Sequence, residues 1–224
     1  MPPRANKITE PSSEKPAERD SAKTSLQTDE TVYFWREVDP DFGFLSQWYY
    51  CPFTDSKDPS IVYPTAEHYM MYHKALLFED TKTAAKILAD PSPRTARSLG
   101  RKVTPFSEET WAANRERIVT EASLAKFSRP VSEDSFRRGN GDEAAEFPES
   151  EGGRLKAALL ATGDREIVEA SPRDRIWGVG FGAKDAGSQR ERWGLNLLGK
   201  ALMEARRILR EEERAGGVGV SEAG

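Results

Sequence analysis

The sequence predicts a mainly α-helical fold: one compact helical domain with a few short strands, polar tails and a surface insertion. Three observations lead there. Apolar residues recur at helical spacing in several segments, most of them preceded by a capping residue. Strands and helices do not alternate, which argues against a doubly wound dinucleotide fold. Two long stretches are almost without large apolar residues and cannot offset their chain entropy by burial. The predicted organisation is a disordered tail over 1–29, a domain over 30–212 with a flexible insertion at about 129–152, and a second tail over 213–224.

"TVYFWREVD" (31–39) alternates apolar and polar residues and reads as a strand. Thr65 is placed to cap a helix from Ala66 to Leu77, and a short helix follows from Thr81 to Ala89. Ser92-Pro93 starts another, with proline at the first helical position, and it stops at Gly100. A long helix begins at Ser107, where Glu108 and Glu109 complement the helix dipole. It carries Trp111, Ile118, Val119, Ala122 and Ala125 on one side. "LKAALLAT" (155–162) is helical and ends at Gly163, which suits the left-handed residue after a helix. The last helix shows Leu195, Leu198, Leu202, Ala205 and Leu209 as an apolar stripe, with Arg206, Arg207 and Arg210 outside it. No internal repeat is present.

Composition excludes several function classes. The net charge of −4 gives no chain-wide footprint for nucleic acid or anionic membrane. The single cysteine, Cys51, allows no intramolecular disulfide, and two histidines without an HExxH pattern argue against a zinc enzyme. No apolar run reaches membrane-spanning length and the N-terminus lacks the apolar core of a secretory signal, so the expected compartment is the cytoplasm or nucleus.

Three constellations carry chemistry. In "YPTAEHYMMYHKAL" (63–76), Glu67 and Lys74 are seven apart and share a helix face, in company with His68, Tyr69, Tyr72 and His73. An amphipathic helix with solvated Glu and Lys is the plainer reading, but the density of aromatic and hydrogen-bonding groups favours a site. Trp111 reads as core by periodicity, and as a stacking face for a base if exposed to a ligand. In "SPRDRIWGVGFGAKDAGS" (171–188), Asp174 and Trp177 precede the glycines Gly178 and Gly180, with Lys184 beyond. The plainer reading is a shaped loop with a core tryptophan. The functional reading is glycines that admit phosphate close to backbone N–H groups, with Lys184 adding positive charge. The spacing matches neither a P-loop nor a dinucleotide fingerprint.

At these residues the chain resembles the NADAR-domain family, the YbiA-like N-glycosidases. The resemblance covers most of 31–210 and rests on ordered blocks: "FLSQW" (44–48), "YPTAEHYMMYHKAL", "ARSLGRKV" (96–103), "TWAANRERIVTEASLAKF" (110–127), "LKAALLATGDREIVEASPRDRIWGVGFGAK" (155–184) and "GLNLLGKALMEAR" (194–206). The family usually has Ser-Asn followed by Phe where this chain has Ser46, Gln47 and Trp48. The resemblance implies a YbiA-like orthogonal helical bundle and cleavage of N-glycosidic bonds without a metal or other cofactor. Two substrate groups are implied: phosphorylated ribosylamino-pyrimidine intermediates of riboflavin synthesis, and ADP-ribose on the exocyclic amine of guanine. Nucleic acid then enters only as a modified substrate. By the same resemblance Glu67, Lys74 and Asp174 are the catalytic candidates. The substrate-binding candidates are Ser46, Gln47, Trp48, His68, Tyr69, Arg101, Trp111, Trp177, Gly178, Gly180, Lys184 and Asn196.

Both substrate groups join ribose C1 to an exocyclic amine, a bond that can ring-open to an imine. Two routes follow. A neutral Lys74 exchanges with the leaving amine to form a Schiff base, with Glu67 moving protons. Alternatively Glu67 and Asp174 act as a carboxylate pair that stabilises an oxocarbenium-like sugar and activates water. The rival class is a non-catalytic module that binds ADP-ribose or a nucleotide; a third is an interaction protein built on its tails and insertion.

Overall fold

A computed structural model of the chain describes residues 31–131, 137–138, 143–144 and 155–218. The tails over 1–29 and 219–224, and most of the 129–152 insertion, lie outside the described residues. Helix starts follow one local device. The side chains of Thr65, Asp80, Ser92 and Ser107 accept from backbone N–H groups three residues on. These caps open α1 (Ala66–Leu77), α2 (Thr81–Ala89), α3 (Pro93–Gly100) and α4 (Glu108–Ser128). α5 (Leu155–Leu160) ends with Gly163 at a φ of 62°, the left-handed position a glycine adopts at little cost. Capping chemistry is local, so these boundaries match the sequence reading closely.

Strands show more tertiary influence. β1 is only Thr31–Phe34, shorter than the 31–39 expectation, because Asp39 N–H turns back to the Arg36 carbonyl. Its partner, β4 (Glu166–Glu169), lies parallel to it in the register Thr31↔Glu166 to Phe34↔Glu169. Four residues are too few for periodicity to announce β4. Burial of Ile167 and Val168 on opposite faces stabilises it instead. Within the insertion, β2 (Arg137–Arg138) pairs antiparallel with β3 (Glu143–Ala144).

The helices form the bulk of the core. α7 (Leu197–Val218) packs on α4 and β4, and α1 packs on α2, α3 and α4. The α7 stripe of Leu198, Leu202, Ala205 and Leu209 is buried as its spacing predicts. Three expectations about this region need correction. Leu195 precedes the helix and is exposed, because Asn196 breaks the helical path at a φ of 50°. Arg206 is buried, not outside the stripe, and donates to Thr162 Oγ1 at 2.7 Å. The helix also continues beyond the expected boundary at 212. Among the described residues no helix is long and apolar enough to cross a membrane.

Lys126 is the least anticipated core residue. Its ammonium is buried, donates to the carbonyls of Phe44 and Ser46 at 2.6 and 2.9 Å, and lies over the Tyr49 and Phe127 rings. Desolvation pushes its pKa down to about 8. These bonds hold the turn Gly43–Leu45 and the segment after it against α4. Lys126→Met leaves two buried carbonyls without their donor. It is expected to lower the unfolding free energy by about 2 kcal/mol or more in urea titrations; an unchanged midpoint and slope would show that the bonds contribute nothing net.

Candidate active site

A cleft of about 620 Å³ is lined mainly by four chain segments, with Trp35, Arg36 and Glu37 after β1, Trp111 of α4 and Leu198 of α7 completing it. α1 supplies its floor. Glu67, Met70, Met71 and Lys74 follow the 3-4 spacing of one helix face, so all four reach the cleft. α3 and its end supply Arg94, Arg97 and Arg101. α3 approaches closely because Gly100 has no side chain; a Cβ there would overlap the Met71 thioether. The segment Ser46–Trp48 forms a third wall. The fourth comes from the end of β4 and the loop beyond it, with Glu169, Ser171, Arg173, Asp174 and Trp177.

Glu67 is the most buried of the acids. It sits in the first turn of α1, with its N–H on the Gln47 carbonyl at 3.0 Å and its Oε2 accepting from Trp48 Nε1 at 3.3 Å. Burial pushes its pKa up to about 7, and Asp174 adds to the rise; Arg97, the Trp48 bond and Arg101 hold it from rising further. A carboxyl near 7 exchanges protons at neutral pH in either direction.

Asp174 is locked by its own loop. Its Oδ1 accepts from the N–H groups of Ile176 and Trp177 at 2.9 and 2.8 Å. This is an Asx turn, and it sets the Trp177 ring at the cleft wall. Lys74 is half-buried, with its ammonium 4.4 Å from the Phe106 ring centroid and 5.2 Å from that of Trp111. Burial and Arg101 push its pKa below the usual lysine value, against the pull of Glu108. The carboxyl that acts on Lys74 is therefore Glu108 at the start of α4, while Glu67 lies two helical turns back along α1.

The structure brings Ser46, Gln47, Trp48, Glu67, Lys74, Arg101, Trp111, Asp174 and Trp177 to this one cleft. The other expected residues stand elsewhere. His68 faces away on α1, bonded to Thr65 Oγ1 and the Asp90 carbonyl, and burial lowers its pKa. Tyr69 is buried against Phe53, Tyr63 and His73. Both are one helix step off the face that carries Glu67 and Lys74, which is why the cluster divides. Lys184 is exposed on α6 (Ala183–Ala186), and Gly178 and Gly180 are absent from the cleft wall. A Cβ on Gly178 would lie 2.6 Å from the Glu169 carbonyl, and Gly180 holds a φ of 79° beside Arg175, so both serve loop packing. Asn196 is a clamp: its Oδ1 accepts from Glu169 N–H and its Nδ2 donates to the Ile167 carbonyl, each at 3.0 Å.

Several cleft residues carry no sequence signal that would single them out. Arg94 and Arg97 read as solvated arginines on a short helix. Glu169 closes β4, a strand too short to read, and its Oε2 is buried without a hydrogen-bond partner. Burial pushes Glu169 up to about 8, with Asp174 and Glu67 adding repulsion and Arg97 opposing. Four carboxyls, Glu37, Glu67, Glu169 and Asp174, thus line one cleft, and burial lets Glu67 and Glu169 retain protons well above their ordinary range.

The NADAR domain family model matches residues 33–210. An N-glycosidase of Acanthamoeba polyphaga mimivirus is 36% identical over 187 residues, spanning 81% of this chain and 97% of that protein. N-glycosidase YbiA of Escherichia coli is 29% identical over 185 residues, with 82% and 92% covered. A riboflavin biosynthesis protein of Vibrio vulnificus is 28% identical over 183 residues, 82% of this chain but 40% of that one. The NMR structure of E. coli YbiA superposes with a TM-score of 0.59 at 27% identity, covering 84% of this chain and 89% of that one.

The raised acids link stability to pH. In the unfolded chain Glu67 and Glu169 ionise near the ordinary value; in the folded chain they keep their protons to about 7 and 8. The stability they contribute is present below the ordinary carboxyl range and is lost as pH rises through those values. Thermal unfolding followed by circular dichroism is expected to show a Tm that falls from about pH 5 to about pH 8 and gains no further fall from these acids above that. The fall should be shallower in Glu67→Gln/Glu169→Gln; equal slopes for both proteins would refute buried, proton-retaining acids.

Proposed function

We propose that this chain, which belongs to the NADAR domain family, hydrolyses the bond between ribose C1 and an exocyclic amine of a base in a phosphorylated ribosyl compound. Its general class is an N-glycosidase, a hydrolase of N-glycosyl bonds. The observation that carries the finer reading is the convergence of Lys74, Glu67 and Asp174 on one cleft that Trp111 and Trp177 also line. Ribosylamino-pyrimidine phosphates and ADP-ribosyl-guanine share the scissile linkage and fall within this reading.

Lys74 is assigned the nucleophile because it lines the cleft and burial lowers its pKa from the usual lysine value. The sugar opens to an imine at C1. The Lys74 amine adds to C1, the exocyclic amine leaves with a proton, and a Schiff base joins C1 to Nζ. Water then adds to C1 and the C–Nζ bond breaks, which regenerates the amine and releases the free sugar. Glu67, titrating near neutrality, relays protons between these steps. The indoles of Trp111 and Trp177 offer flat faces to the base. Arg94, Arg97 and Arg101 supply the positive charge a phosphate group needs.

Incubation with either substrate class and borohydride is expected to add a sugar mass to the peptide that contains Lys74; normal turnover without any adduct would exclude the Schiff-base route. Glu67→Gln and Asp174→Asn should each lower kcat by about two orders of magnitude or more, measured by product mass in folded protein. Near-normal rates would remove that residue from proton transfer.

A further inference from the structure

Glu169 is an acid of the cleft to which the steps above assign no task. It stands at the C-terminal end of β4, where Asn196 Oδ1 holds its backbone N–H and Val179 N–H holds its carbonyl. The backbone is therefore fixed on both sides. The side chain lines the cleft, yet its buried Oε2 has no hydrogen-bond partner. Leaving a buried polar atom unpaired is costly, and such atoms are rare in folded proteins. A carboxyl at the cleft wall, on a fixed backbone and with Oε2 unpaired, has hydrogen-bonding capacity left for a ligand group.

The charged groups around it decide which form it holds. Glu67 faces it from α1, Asp174 from the loop after β4, and Arg97 from α3. One guanidinium against two neighbouring carboxyls does not compensate a third negative charge in a desolvated place. Burial and those two carboxyls push its pKa up to about 8, which favours a protonated carboxyl, a hydrogen-bond donor, at the cleft wall.

We infer that Glu169 is a catalytic residue, the acid that opens the ribosyl ring. This rests on the Schiff-base reading above and adds the origin of its first proton. The Glu169 carboxyl gives its proton to the furanose ring oxygen. The C1–ring-oxygen bond breaks while the lone pair of the exocyclic nitrogen forms the C1=N bond. The ring oxygen becomes a hydroxyl, Glu169 a carboxylate, and the sugar an iminium whose positive charge that carboxylate faces. Lys74 then adds at C1. When water hydrolyses the protonated Schiff base and the lysine leaves as the neutral amine, the proton set free returns to Glu169. The open sugar then recloses with its own hydroxyl proton passing to the carbonyl oxygen, so no proton is gained or lost over the cycle apart from the water consumed.

The test compares wild type, E169Q and E169D with a ribosylamino-pyrimidine phosphate, from pH 5.5 to 9.5, with kcat and KM read separately. Glutamine keeps the shape and a hydrogen-bond donor, and removes a buried ionisable group, so E169Q is expected to fold. The wild-type rate should fall above pH 8 as the acid ionises. E169Q should lose about a hundredfold in kcat with KM changed less than threefold, and its remaining activity should no longer fall at alkaline pH. E169D should recover part of kcat and retain the alkaline fall. A wild-type kcat in E169Q, or a reduced kcat that keeps the alkaline fall, would overturn the inference. Borohydride trapping is run in parallel on wild type. Loss of the Lys74 adduct there defeats the Schiff-base reading itself, whereas an adduct with an unaltered E169Q profile defeats only the role of Glu169.

Discussion

The segment Phe44–Trp48 depends on one buried cation. The Lys126 ammonium takes the carbonyls of Phe44 and Ser46, and the first turn of α1 takes that of Gln47 through Glu67 N–H. Three carbonyls of a stretch with only a single 3-10 turn are thereby satisfied inside the protein. That frees the stretch to run through the core and present the Trp48 indole to Glu67. Without it, Glu67 would lose its neutral donor, and the wall opposite the loop after β4 would have no fixed position. A lysine that donates to backbone carbonyls leaves no carboxylate in the core to balance, so its charge is spread over peptide dipoles and aromatic faces.

A second clamp works from the other side. The two-stranded β1–β4 sheet leaves one edge of β4 to be satisfied. The Asn196 side chain does so with both its oxygen and its nitrogen, as a neighbouring strand would. Val179 N–H bonds the Glu169 carbonyl, and Asp174 closes its own turn. Cleft residues from distant parts of the chain therefore sit on backbone that is already paired. Asn196 takes its positive φ, which few residues other than glycine accept readily, to make this reach.

The cleft's electrostatics follow from this rigidity. Glu67, Glu169 and Asp174 are brought together by backbone constraints, not by attraction, and solvent is kept from Glu67 and from Glu169 Oε2. Arg97 and Arg101 relieve the repulsion only in part, so protons remain on two of the acids. Lys74 shows the same logic in reverse: burial and Arg101 disfavour its charge. The fold thus holds two acids with raised pKa values in one cleft with a lysine whose pKa is lowered.

Sequence alone determined the helices. Capping residues at Thr65, Ser92 and Ser107, proline at position 93 and glycine at 163 act over a few residues, so α1 to α5 were legible to within a residue or two. Periodicity likewise placed Glu67 and Lys74 on one face, and the ordered blocks carried the resemblance to an N-glycosidase family. Tertiary structure decided the rest. It chose Glu67 and Lys74 for the cleft and turned His68 and Tyr69 into the core, because one step along a helix rotates a side chain by about 100°. It made a strand of four residues at 166–169, buried Lys126 and Arg206 where composition suggests surface, and gave Gly178 and Gly180 to loop packing. Desolvation and charge repulsion act between segments far apart in the chain. The proton held by Glu169 is therefore invisible until those segments are folded around it.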